Sequence, residues 1–133
     1  MTDLGTVTVR PAARVRNGVA EILLRVEIPD NVHIEAHEPP EPFLIPTVAE
    51  VDGLTDVEAE YPTPRCKDIG LPGAELLVYD GRIEIKLRGK TADAVEALRG
   101  RLTYQPCVGG ACLLPRTDVW TVDLPKGVAL ARE

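Results

Sequence analysis

The clearest pattern in the chain is a period of two. Between residues 19 and 28, Ile22, Leu24, Val26 and Ile28 fall on one side of an extended backbone, and Glu21, Arg25 and Glu27 fall on the other. That alternation marks a strand with one face in a core. Weaker alternation at residues 6–10 predicts a strand before it. The turn residues Pro29-Asp30-Asn31 lead into a short strand at 32–36 that carries His33. Residues 47–51 and 57–61 read as two more strands, separated by Asp52-Gly53. Residues 75–79 and 82–88 flank Asp80-Gly81, a strong turn dipeptide, and predict a hairpin with Ile83, Ile85 and Leu87 on one face of its second arm. Residues 101–105 and 117–124 complete the series. In the last, Trp120, Val122 and Leu124 alternate with Val119, Thr121 and Asp123, and Trp120 reads as core.

Between these runs the chain is punctuated by proline. Residues 37–46 contain Pro39, Pro40, Pro42 and Pro46; each fixes φ and removes a ladder donor, which predicts an irregular crossing. Residues 62–72, with Pro62, Pro64, Gly70 and Pro72, predict a loop that contains Cys66. Residues 91–98 have helix-favouring composition but are short and followed by Gly100, so they read as a loop or a single helical turn. Eight or nine short strands, with turn signals every 8–12 residues or so and no sustained helix, predict an all-β, immunoglobulin-like antiparallel β-sandwich. A chain of 133 residues suits one such core, so residues 1–133 are read as a single domain.

Charge and hydropathy narrow the function classes. The formal net charge of −6, with lysine and arginine scattered, argues against nucleic acid and anionic membrane surfaces as partners. No apolar run approaches the roughly 20 residues of a membrane helix, so this segment is not expected to insert in a membrane. The first residues, Met1-Thr2-Asp3-Leu4-Gly5, lack the basic and apolar regions of a signal peptide. Either a cytoplasmic protein or an excised domain of a longer chain accommodates that.

Three cysteines do not make a disulfide scaffold in a chain of this size. Two of them, Cys107 and Cys112, flank Val-Gly-Gly-Ala between two strand-like runs. A short glycine-containing connector between strands reads as a β-hairpin. Cysteines on its two stems can face each other with Cα atoms about 4.5 Å apart, inside disulfide range. Such a bond is either a staple or a redox-active pair. As a staple it closes a very short loop, for which the chain-entropy gain is only roughly 2 kcal/mol. As a redox pair it sits on an adjustable, exposed hairpin tip that an incoming thiolate can reach. Spacing leaves both open.

The remaining polar residues carry weaker signals. Cys66, between Arg65 and Lys67, is a small hydrophobe, a surface thiol or a third redox participant. His33 and His37 are candidates to activate a thiol as a base or to supply positive charge. Alternation turns His33 away from Val32 and Ile34, however, so it is a strand residue near the site at best, and both read as ordinary strand or loop histidines. A zinc site from Cys107, Cys112, Cys66 and a histidine is chemically allowed but has no spacing support.

The residues around the pair are similar to a known family. Tyr104-Gln105-Pro106-Cys107, followed by Cys112-Leu113-Leu114-Pro115, resembles the Tyr-Gln-x-Cys…Cys-x-x-Pro pattern of the N-terminal domain of the thiol:disulfide interchange protein DsbD, also called the disulfide-bond corrector domain. Val32-His33-Ile34 with the proline-rich segment after it, Ile45-Pro46-Thr47, Tyr61-Pro62 and Leu77-Val78-Tyr79-Asp80-Gly81 occur in the family's order, roughly from residue 19 to 124. The resemblance implies an immunoglobulin-like thiol:disulfide oxidoreductase of the periplasm. It implies electron donors and acceptors that are thioredoxin-like redox proteins, and no cofactor or metal. It implies that Cys112 forms the mixed disulfide with a partner and Cys107 resolves it, under a cap formed here by residues 62–71. The family's capping aromatic is missing after Tyr61; Ile69 and Leu71 stand in the cap instead, with Cys66. Tyr61, Tyr104 and Gln105 are expected near the site, and Glu35 and Glu60 near it if the family layout holds. The alternative is a non-catalytic immunoglobulin-like binding module with a structural disulfide, fused to or docking a redoxin.

Overall fold

The structure, a computed structural model, describes residues 6–39, 44–71, 74–92 and 95–124. The regular structure among the described residues is entirely extended. In chain order the strands are β1 (Thr8–Arg16), β2 (Val19–Glu27), β3 (Val32–Glu35), β4 (Val48–Val51), β5 (Thr55–Glu60), β6 (Arg65–Leu71), β7 (Ala74–Tyr79), β8 (Arg82–Lys90), β9 (Ala97–Tyr104), β10 (Pro106–Val108), β11 (Ala111–Cys112) and β12 (Arg116–Asp123). They form three antiparallel sheets, ordered β1-β2-β8-β5, β11-β10-β3-β7-β6 and β12-β9-β4.

The alternation in β2 is the reason the sheets stack. It turns Ala20, Ile22, Leu24 and Val26 inward, and β8 adds Ile85 and Leu87 beside them. These residues share one core with Val32 and Ile34 of β3, Leu98, Leu102 and Tyr104 of β9, and Trp120 of β12. Each large apolar side chain so buried contributes about 1.5–3 kcal/mol. The result is the predicted all-β, open immunoglobulin-like sandwich, and Trp120 is in the core.

Four local expectations are corrected. The first strand runs to Arg16 rather than ending at 10. Asn17 and Gly18, at φ 54° and 77°, make the tight turn with two positive φ values that joins β1 to β2. Pro11 is tolerated because β1 is an edge strand. Asp80-Gly81 turns the chain but does not close a hairpin: β7 pairs with β3 and β6, while β8 pairs with β2 and β5. A turn dipeptide specifies a reversal, not the pairing of its flanks, and here the chain crosses between sheets. The loop expected at 62–72 contains β6, paired with β7 through a register shift between Asp68 and Leu71. Arg65, Cys66 and Lys67 of β6 are all exposed, so this edge strand has no apolar alternation to announce it. Finally, β9 begins at Ala97, inside the stretch read as a loop or helical turn, of which residues 93–94 lie outside the described residues.

Candidate redox site

The cysteine hairpin forms as its turn chemistry predicts. Cys107 of β10 pairs with Cys112 of β11, and Val108 pairs with Ala111. Gly109 and Gly110 make the turn, with Gly109 at φ 60°, a conformation that favours glycine. The two sulfurs are bonded, with their Cα atoms 3.9 Å apart. Below the pair, the Leu113 N–H donates to the Pro106 carbonyl at 2.8 Å. The Gln105 amide donates to the Leu113 carbonyl at 3.1 Å. Gln105 therefore clamps the two stems next to the sulfurs.

The two cysteines are not equivalent. Cys107 is 1% exposed, whereas Cys112 is exposed. The difference follows from sheet order: β10 lies between β11 and β3, while β11 is the edge. On its inner side Cys107 is in register with His33, as Pro106 is with Ile34. Residues two apart on a strand share a face, so His33 and Glu35 project together beside Cys107. One ligating atom of each of the three lies within 4.8 Å of the others. The sequence orientation of His33, opposite Val32 and Ile34, is right. Its reading as an ordinary histidine is corrected, because the β3–β10 pairing that places it is a long-range event with no local signal.

Electrostatics at this cluster follow from burial. His33 and Glu35 are both buried. Burial first, and then the Lys67 ammonium 3.2 Å from its Nδ1, hold the His33 pKa below the ordinary value. Burial pushes the Glu35 carboxyl above the ordinary value. The Glu35 shift makes a stability prediction. A carboxyl with a raised folded pKa contributes stability below its unfolded pKa, and that contribution is lost as pH rises through the folded value. In the disulfide form, Glu35→Gln is therefore expected to gain stability relative to wild type between about pH 4 and pH 8. Urea unfolding midpoints at the two pH values check this; a difference that does not change with pH contradicts it.

The other sequence-predicted residues are distributed as follows. Tyr104 is 1% exposed and donates its hydroxyl to Asp118 at 2.6 Å. Burial and that hydrogen bond raise its pKa. It anchors the end of β9 from which the hairpin departs. Tyr61 stacks on His37, ring centroids 3.7 Å apart, and accepts the Ala49 N–H at 3.0 Å. Cys66 is exposed, is not disulfide-bonded, and lies in register with Leu77. The side chains of Ile69 and Leu71 lie outside the described residues. The β6 arm does reach the site, through Lys67. Glu60 pairs with Lys86 in the first sheet, so of the two expected carboxylates it is Glu35 that joins Cys107. Arg65 forms an exposed ion pair with Asp80 at 3.3 Å, a surface contact of small energetic weight. No helix among the described residues is long and apolar enough to cross a membrane.

Comparison with known proteins fits this geometry. Residues 6–124 match the family model described as thiol:disulfide interchange protein DsbD, N-terminal. No curated protein matches the chain significantly. Among solved structures, the N-terminal periplasmic domain of ScsB from Proteus mirabilis is 21% identical, with a TM-score of 0.70 over 93% of this chain and 48% of that one. This chain thus spans about half of that one. The Neisseria meningitidis DsbD N-terminal domain in the reduced form is 20% identical, with a TM-score of 0.52 over 86% of this chain and 83% of that one. The complex between the N. meningitidis DsbD and PilB N-terminal domains gives 15% identity and a TM-score of 0.57, over 85% and 80%. At these identities the structures share the fold, while the family rests on the match across residues 6–124. The chain belongs to the DsbD N-terminal domain family and carries within its sandwich an intramolecular Cys107–Cys112 disulfide.

Proposed function

We propose that this domain is a thiol:disulfide oxidoreductase that passes reducing equivalents to oxidised extracytoplasmic proteins. In the dithiol form the Cys112 thiolate attacks a partner disulfide, forming a mixed disulfide and releasing one partner thiolate. The Cys107 thiolate then attacks Cys112 Sγ, releasing the second partner thiolate. Two electrons and, after protonation, two protons end on the partner, and the Cys107–Cys112 disulfide remains. The observation that carries this reading is the unequal burial of one bonded pair. An exposed sulfur can be approached in line by a partner, while a buried one is reserved for the intramolecular step.

The surroundings suit that division. His33 and Glu35 line the buried side of Cys107. A carboxylate near a thiol raises its pKa, so Glu35 favours keeping Cys107 protonated until the resolving step. The hairpin arm of residues 62–71 acts as the cap, with Lys67 as its contact to the site. Donor and acceptors are thioredoxin-like redox proteins, as the family resemblance implies. The neisserial relative in complex with a PilB domain supports docking of a partner domain, and the periplasmic ScsB relative supports a periplasmic location. No cofactor takes part in the exchange. The test is the reduction potential, measured by equilibration against a glutathione or dithiothreitol series. An exchange-active pair should be more oxidising than about −300 mV. A value far below that would make the bond structural and overturn the proposal.

A further inference from the structure

Reduction of the pair would create a donor set that the disulfide form cannot use. His33, Glu35 and Cys107 converge, one ligating atom of each within 4.8 Å of the others. They are 4%, 2% and 1% exposed. His33 Nε2 and Glu35 Oε1 have no hydrogen-bond partner among the described residues. A buried polar atom left unsatisfied is costly, and here two such atoms belong to residues that converge on one sulfur. Cys112, bonded to Cys107 but exposed on the edge strand and outside the converging three, is the one further sulfur that reduction would free to turn toward them.

We propose that the reduced domain binds one zinc ion through Cys107, Cys112, His33 and Glu35. Thiolate, imidazole and carboxylate are the ligand types zinc takes, four at a time and tetrahedrally. Donor atoms of such a site stand about 3.3–3.8 Å apart, so the three converging donors need to close by only about 1 Å, while the Cys112 side chain, released from its bond to Cys107, must turn inward from the exposed edge. Copper(I) would leave the carboxylate unused, and magnesium or calcium would disfavour sulfur; the mixed set favours zinc. Binding displaces the two thiol protons and changes no oxidation state. Lys67, against Nδ1 of His33, must turn away as the imidazole becomes a ligand, and its exposure permits that. Metal and disulfide are then mutually exclusive, and a zinc-loaded dithiol is withheld from exchange. The inference rests on the reading that the Cys107–Cys112 bond is reducible.

The test uses the tag-free chain, reduced with a phosphine because thiol reductants themselves bind zinc. A thiol count of three per chain, with Cys66, establishes reduction; a count that stays at one overturns both readings. Zinc affinity is then measured by competition with a chromophoric chelator. The reduced form is expected to bind one zinc at least about tenfold tighter than the disulfide form. His33→Ala and Glu35→Gln should each weaken binding by about tenfold or more, with thermal unfolding of their disulfide forms verifying the fold. Zinc should also slow alkylation of Cys107 and Cys112 in the wild type, which requires no variant. Equal affinity of the reduced and disulfide forms, or unchanged affinity in both variants, overturns the zinc site while leaving the exchange reading in place.

Discussion

Exchange with an oxidised partner is expected to fall to background, on the order of a thousandfold or more, when Cys112 is replaced by serine, because a hydroxyl cannot take the place of the attacking thiolate. Cys107→Ser should behave differently. Cys112 is exposed and still attacks, but the resolving sulfur, 1% exposed and opposite His33, is gone. The mixed disulfide should then accumulate instead of turning over. Single-turnover reactions with a disulfide-bonded thioredoxin-like protein, read on non-reducing gels, separate the two outcomes. Peptide mapping of the trapped species distinguishes Cys112 from Cys66, the other exposed cysteine. Trapping by Cys112→Ser through Cys107, with no trapping by Cys107→Ser, would reverse the assigned roles.

Much of the sandwich was legible because its inward faces alternate. Ile22, Leu24 and Val26 on β2 and Ile85 and Leu87 on β8 are apolar at a period of two, and all are buried. The Cys107–Cys112 hairpin was legible for the same local reason, since two glycines between strand-like runs predict the turn. What local pattern does not encode is which strand lies beside which. The pairing of β3 with β10 converts His33 from an ordinary strand residue into the neighbour of Cys107. The place of β11 at a sheet edge makes Cys112 the exposed sulfur. Likewise Asp80-Gly81 signals a reversal on either reading, and only the tertiary structure sends β8 to the other sheet. The edge strand β6 was hidden because Arg65, Cys66 and Lys67 at its start are all exposed and leave no apolar alternation in the sequence. Lys67, which reaches His33 from that strand, was hidden with it.

Among the described glycines, Gly100→Ala is expected to be the most damaging change to alanine, at a residue whose sequence context reads as a break. Gly100 instead lies inside β9, the central strand of its sheet, in register with Val51 of β4 on one side and Trp120 of β12 on the other. It faces inward between Leu98 and Leu102, which are both buried. A Cβ built on it would overlap the Glu50 carbonyl oxygen and the Trp120 indole. The first is backbone held in a ladder, and the second is a large ring that is 4% exposed, so neither can yield without disturbing its neighbours. Glycine is thus present for the close approach it allows, as glycine within a strand often is. Overpacking of this kind costs about 3 kcal/mol, which in a domain of this size lowers the unfolding midpoint by roughly 10 °C. Gly110→Ala is the control: Gly110 has open space around its Cβ position, and that change should stay within about 0.5 kcal/mol of wild type. Thermal unfolding of the disulfide forms decides the matter. If Gly100→Ala is as stable as Gly110→Ala, the packing of β9 against Trp120 is looser than this contact requires.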